Sequence, residues 1–213
     1  MRGFKVTDIT NPPEQVTTPA VQVWTVQIQG YTEKMAAYKD AVAYSNDGYG
    51  VHVFWQDDSW VWVAGIYDTQ EQATAMIDTG NLPESATTKL LAITEKHFKI
   101  DPAVSVICNK ILTKVQDTTA QLQTLREAVV NNSDYQNCIL SITSNLSELR
   151  NAVTSLQESN VTLQSQFVAA LIYAANQNII VLNDVVLSTA KGKQLLALVN
   201  TALIKNIFSL DNF

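Results

Sequence analysis

Helix-breaking and large aromatic residues stop partway along this 213-residue chain. All five Pro lie at or before Pro102, and all four Trp lie between Trp24 and Trp62. After Gly80 only Gly192 remains. Turns and aromatic strands therefore belong to the first half. The second half is almost free of breakers and reads as helical. Hydrophobic residues make up 46% of the chain, which supports a core and excludes global disorder. Asn, Gln, Ser and Thr together number 66, while charged residues reach only 16%. The net charge of −6 argues against nucleic acid, whose binding runs on clustered Lys and Arg.

Residues 1–20 are polar, contain Pro12, Pro13 and Pro19, and read as a linker. They show no charged-then-apolar leader pattern. The most apolar stretch, residues 167–187, is interrupted by Asn176, Gln177, Asn178, Asn183 and Asp184, so no membrane span is expected. An anchor upstream of the chain stays open. Cys108 and Cys138 lack zinc-ligand spacing and read as free thiols, with a disulfide between antiparallel helices as the alternative.

From residue 21 the pattern is strand, helix, strand, strand, helix, strand. Residues 21–29 alternate, with Trp24, Val26 and Ile28 on one face and Thr25, Gln27 and Gln29 on the other. Residues 33–46 read as a helix, and residues 49–56 alternate again. A tight turn at 57–59 leads into a strand over 60–66. Thr69 and Gln72 have the spacing of a helix N-cap pair, and 90–94 supplies a last strand. Two helices can cover one face of such a sheet. The other face would carry Thr25, Gln27, Gln29, His52, Phe54, Gln56, Ser59, Val61 and Val63 and would lie open to solvent or a partner. Side-chain amides that donate and accept, beside an aromatic ring, suit a ligand with both polar groups and apolar faces. Val61 and Val63 leave the alternative that helices close this face.

The stretches Trp24-Thr-Val-Gln-Ile-Gln-Gly-Tyr31, Gly50-Val-His-Val-Phe54, Trp60-Val-Trp-Val-Ala-Gly-Ile-Tyr67 and Thr69-Gln-Glu-Gln-Ala73 resemble, in order and spacing, the SPOR (sporulation-related repeat) domain. The resemblance covers residues 21–97. It implies a SPOR-like βαββαβ, ribonucleoprotein-like domain (residues 21–100), which with the helical domain read from the second half (101–213) makes an α+β chain. It also implies binding of peptidoglycan, in particular glycan strands stripped of stem peptides, at division or sporulation septa. The glycan would lie across the open sheet face, on Gln27, Gln29, Thr25, His52, Phe54, Gln56, Ser59 and Val61. Family members often carry Arg at the position of Val61. The location implied is the extracytoplasmic side of the membrane, given an anchor.

In the second half, Ile139, Ile142, Leu146, Leu149, Val153, Leu156, Asn160, Leu163, Phe167 and Ala170 step by three and four. Ile111, Val115, Thr118, Leu122, Leu125 and Val129 do the same. Residues 131–134 read as the turn of a helical hairpin, with Ser133 or Asp134 as N-cap. Further helices are expected over 181–188 and 193–208. An intramolecular bundle and a coiled coil that pairs two chains, or a protein partner, through residues 135–175 both fit. No catalytic motif is present: the two His, His52 and His97, have no nucleophile or metal-ligand spacing around them. A non-enzyme without cofactor or metal is expected. The alternative function is a structural or assembly protein that works through protein contacts.

Overall fold

The computed structural model describes residues 12–159, 166–211 and 213. It is a mixed α+β protein with two antiparallel sheets and six helices among those residues. The strands are β1 (Glu14–Thr17), β2 (Val21–Tyr31), β3 (His52–Gln56), β4 (Ser59–Tyr67), β5 (Ala86–Ile93) and β6 (His97–Ile100). The helices are α1 (Lys34–Ser45), α2 (Gln70–Thr79), α3 (Pro102–Val130), α4 (Gln136–Glu158), α5 (Gln166–Val186) and α6 (Gly192–Leu210).

The larger sheet has strand order β3-β4-β2-β5, all antiparallel. Within the unit from β2 to β5 the first and third strands are therefore central, which is the split βαββαβ arrangement. The alternation of β2 decides its faces. Val26 and Ile28, with Trp62 and Ala64 of β4, form a core with Ala41 of α1 and Ala73 of α2. Trp62 also donates its indole N–H to the Gly50 carbonyl at 2.7 Å. The β3–β4 turn is closed by Asp57 and Asp58, both at positive φ, the geometry a two-residue hairpin needs. Helix α2 starts with a full capping box: Thr69 accepts from the Gln72 backbone N–H, and Gln72 accepts from that of Thr69.

The segment over residues 1–20 is not all linker. Residues 14–17 form β1, which pairs with β6 from Glu14↔Ile100 to Thr17↔His97. Val16 is buried in the core with Ile100 and Val104. A single apolar residue among polar neighbours gives no periodic signal, so this strand escaped the pattern. Residues 1–11 lie outside the described residues.

Asp101 caps α3, accepting from the Ala103 N–H at 2.8 Å, with Pro102 in the first turn where its missing N–H costs nothing. The helical half packs α3 on α4, α4 on α5 and α5 on α6, and α6 returns to α3. The hairpin turn is at 131–134 as expected, with Asn132 at positive φ. The N-cap is Tyr135, while Asp134 accepts from the Gln136 N–H. The stripe from Ile139 to Ala170 is not one helix: α4 ends at Glu158 and α5 starts at Gln166. Its Asn160 and Leu163 fall outside the described residues. The helices expected over 181–188 and 193–208 are the end of α5 and most of α6.

Candidate functional site

The sheet face read as open is closed. Helices α3 and α6 lie on it, and Val23, Val63 and Ile66 share a core with Ile111, Val115, Ile204 and Ile207. A one-residue register shift opposite Val26 and Gln27 lets Val63 and Ile66, three apart on β4, both point into this core. Thr25, Gln27 and Val61 are fully buried. The physical reason is the apolar centre of the face, Val61 and Val63, which gains more by burial against helices than by exposure.

The amides expected to meet a glycan are engaged within the protein. Gln29 donates to the Gln27 side-chain oxygen at 3.4 Å, Gln27 donates to the Thr25 hydroxyl at 2.9 Å, and that hydroxyl donates to the Lys89 carbonyl at 2.9 Å. This ladder satisfies polar groups that burial would otherwise leave unpaired. His52 and Phe54 stack at 5.8 Å, and the ring of Phe208 from α6 sits 4.9 Å from His52 and 5.1 Å from Phe54. Burial, then the nearby cations Lys205 and Lys34, pushes His52 down to about 4, so the imidazole is neutral. At the rim, Gln56 donates to the Asp57 carboxylate at 2.9 Å and Ser59 donates to the Gln56 carbonyl at 3.3 Å. Of the eight expected contact residues, Gln29 alone is exposed, while His52, Phe54, Gln56 and Ser59 are half-buried and Thr25, Gln27 and Val61 are buried.

Where the two halves meet, α6 runs beside the edge strand β3 and leaves a groove against α1. Its volume is about 450 Å³, and Tyr38, Asn46, Gln194, Thr201 and Lys205 line it. Gly50 permits the close approach of α6: a Cβ there would lie 2.5 Å from Ile204 Cδ1 and 3.1 Å from the Asn200 backbone carbon. Thr201 fixes the floor. Its hydroxyl accepts from the Val51 N–H at 2.8 Å and donates to the Ala197 carbonyl. Asn200 donates to the Gly48 carbonyl at 2.8 Å. Tyr38 is half exposed, and among the described residues Lys205 has no carboxylate partner. The groove thus offers one ring face, two amides and an unpaired cation. At the far end Lys193 is paired with Asp47 at 3.0 Å.

Neither wall was legible as a site. On α1 the buried residues are Ala37 and Ala41, while Met35, Tyr38 and Val42 face outward. The signal was apolar residues scattered round this helix, Met35, Tyr38 and Val42 among them, in a position where only one side can be covered. Gln194 and Lys205 come from the far end of the chain and carry no local motif. Trp55, which the alternation of residues 49–56 puts on the covered side opposite His52, Phe54 and Gln56, is 52% exposed and packs edge-on against Trp60, whose ring lies under Lys34.

A second cleft, of about 480 Å³, lies between α2, α3 and α6, with Tyr67, Met76 and Arg126 in its wall. Arg126 spans the two halves, donating to the Ile66 carbonyl at 2.7 Å with its guanidinium 5.7 Å from the Tyr67 ring centre. Burial raises the Tyr67 phenol to about 12. No group of three or more His, Cys, Asp or Glu arranged to hold a metal occurs among the described residues. Both cysteines are free.

Comparison with protein-family models, with curated proteins and with solved structures gives no match to this chain.

Proposed function

We propose that this chain is a non-catalytic, SPOR-like glycan-binding protein of the bacterial cell wall. Its sheet face is closed by its own helices, and its contact with glycan is made in the groove between α1 and α6. The strand order β3-β4-β2-β5 with two helices on one face supports the SPOR-like reading. The groove carries the functional one. Its volume falls within the ~300–1,000 Å³ range of ligand clefts. The Tyr38 ring is placed to stack on a sugar, and the Asn46 and Gln194 amides to donate to and accept from acetamido groups and hydroxyls. Glycan strands stripped of stem peptides bear free lactyl carboxylates, which suit the unpaired Lys205 in an otherwise acidic protein. Such a ligand places the protein at the outer side of the membrane, at septa where denuded strands accumulate.

Sedimentation with purified peptidoglycan, before and after amidase treatment, tests this. Binding should rise after amidase treatment and fall at least tenfold in Tyr38→Ala and in Lys205→Gln. Absence of sedimentation, or sedimentation indifferent to both substitutions, rules the groove out.

A second reading has its own observation. Burial of Thr25, Gln27, Val61 and Val63, with Val63 in one core with α3 and α6, is what an assembly protein would show if its sheet had become a mount for the helical half. In that case the full chain ignores peptidoglycan and engages other proteins through its helices.

A further inference from the structure

The cleft of about 480 Å³ between α2, α3 and α6 is distinct from the α1–α6 groove, and two glycines shape its walls. An added Cβ at Gly65 on β4 would lie 2.7 Å from the Tyr67 hydroxyl oxygen and 2.9 Å from its ring, so that ring rests against bare backbone. A Cβ at Gly48 would lie 2.8 Å from Leu196 Cδ2, so α6 can bring Leu196 to the cleft. Met76 of α2 and Val130 of α3 complete an apolar wall, with Val130 58% exposed.

Two opposite charges line this cleft, and neither is matched within the protein. Arg126 is half-buried, and its Nη1 donates to the Ile66 carbonyl at 2.7 Å. That bond fixes the guanidinium in place but uses one of its five N–H donors. Among the described residues no carboxylate pairs with it. The Tyr67 ring centre is 5.7 Å away, and burial raises that phenol to about 12, so it stays neutral and is no counter-ion. Glu127, the next residue of α3, is exposed, lines the same cleft and pairs with no cation among the described residues. Helices α2 and α3 both end here: Thr79 and Val130, the last residue of each, line the cleft. The partial negative charge of two helix C-termini adds to that of Glu127 and favours a cation on that side.

We infer that this cleft binds a free α-amino acid with an apolar side chain. The α-carboxylate takes the spare donors of the Arg126 fork, whose planar geometry matches it. The α-ammonium faces Glu127 and the ends of α2 and α3. The side chain covers Met76, Leu196 and Val130. A phosphate fits less well, because a single cation flanked by a carboxylate and two helix C-termini repels a dianion. A neutral ligand leaves both charges unmatched. The site is independent of the α1–α6 groove and of what that groove binds.

Isothermal titration calorimetry of the full chain with leucine, methionine and phenylalanine tests this. At least one of them should bind with a Kd below about 1 mM. Its N-acetyl derivative, which lacks the ammonium, and its amide, which lacks the carboxylate, should each bind at least about tenfold more weakly. Arg126→Gln and Glu127→Gln should each weaken binding by a similar factor. Arg126 also holds Ile66, so Val130→Trp gives a variant that leaves that contact alone and fills the cleft from an exposed position. It should abolish binding, and the amino acid should raise the thermal midpoint of the wild type but not of this variant. No heat and no thermal shift with any of the three at roughly 20 mM overturns the proposal. So does an N-acetyl derivative or an amide that binds as tightly as the parent, or binding that survives Val130→Trp.

Discussion

The ring of Phe208, near the end of α6, lies 5.1 Å from the ring of Phe54 on β3, the two planes tilted by 57°. The same ring meets His52 at 4.9 Å. A residue near the C-terminus thus occupies the place on the sheet that a stacking ligand would take. Aromatic pairs of this geometry contribute about 0.5–1.5 kcal/mol beyond the area they bury. Phe208→Ala should lower the unfolding free energy by about 2–3 kcal/mol, allowing for partial exposure. Urea denaturation followed by Trp fluorescence measures it, and a loss below about 0.5 kcal/mol would show that Phe208 does not hold the two halves together.

His52 makes the contact pH-dependent. Its ring is held neutral, with a folded value of about 4 against an unfolded value near 6.5. The unfolded chain therefore binds the extra proton first. The stabilisation is complete above about pH 6.5 and is lost as the pH falls toward 4. The loss is on the order of 2 kcal/mol after discounting for solvent access. Denaturation midpoints at several pH values between 7 and 4 should slope downward in the wild type and less steeply in His52→Gln. Equal slopes would show that His52 is not the group responsible.

Gly50 tests the fit of α6 against the edge strand. Its neighbour Ile204 Cδ1 would stand 2.5 Å from an added Cβ, and the α6 backbone 3.1 Å away. A side-chain tip can turn aside, but a helix backbone has to move. Gly50→Ala should destabilise by about 1–3 kcal/mol, as overpacked sites do. It should also speed hydrogen exchange in α6 while leaving α4 unchanged. Unaltered exchange in α6 would mean that the groove wall gives freely.

The α2 capping box carries a local cost. Thr69→Ala removes the acceptor for the Gln72 N–H at 3.2 Å and should cost about 1 kcal/mol. Thr69→Ser should restore most of it. Thermal unfolding of the three variants measures this, and a Ser variant no better than Ala would point to the lost methyl rather than the hydrogen bond.

The two cysteines should differ in reactivity. Cys108 is buried, and burial pushes its thiol up to about 11, so it carries almost no thiolate at neutral pH. Cys138 is partly exposed on α4. Ellman's reagent should titrate one thiol promptly in the native chain and two after denaturation. Two prompt thiols would contradict the packing of Cys108 beside Val104 and Ile111.

The strands and helices from residue 21 to 93 were legible because their patterns are local. Alternation in β2, β3 and β4, the Asp57-Asp58 turn and the Thr69/Gln72 cap each report on neighbours within a few residues. The stripe along α4 was legible too, since Ile142, Leu146, Leu149, Val153 and Leu156 are all buried. The end of α4 at Glu158 was not, because the three-four stepping of apolar residues runs on past it to Ala170. Pairing of β1 with β6 joins residues 80 to 86 positions apart and leaves no local trace.

The sequence by itself determined which side chains share a face of each strand or helix, because backbone periods of two and 3.6 residues are properties of the chain alone. It thereby placed Thr25, Gln27 and Gln29 together, and Val61 with Val63. Which face meets solvent was decided only by tertiary structure. Free energy settles that choice between whole elements: α3 and α6 have apolar stripes to bury, the Val61–Val63 face accepts them, and Gln27 finds its partners in Thr25 and Gln29 instead of in a ligand.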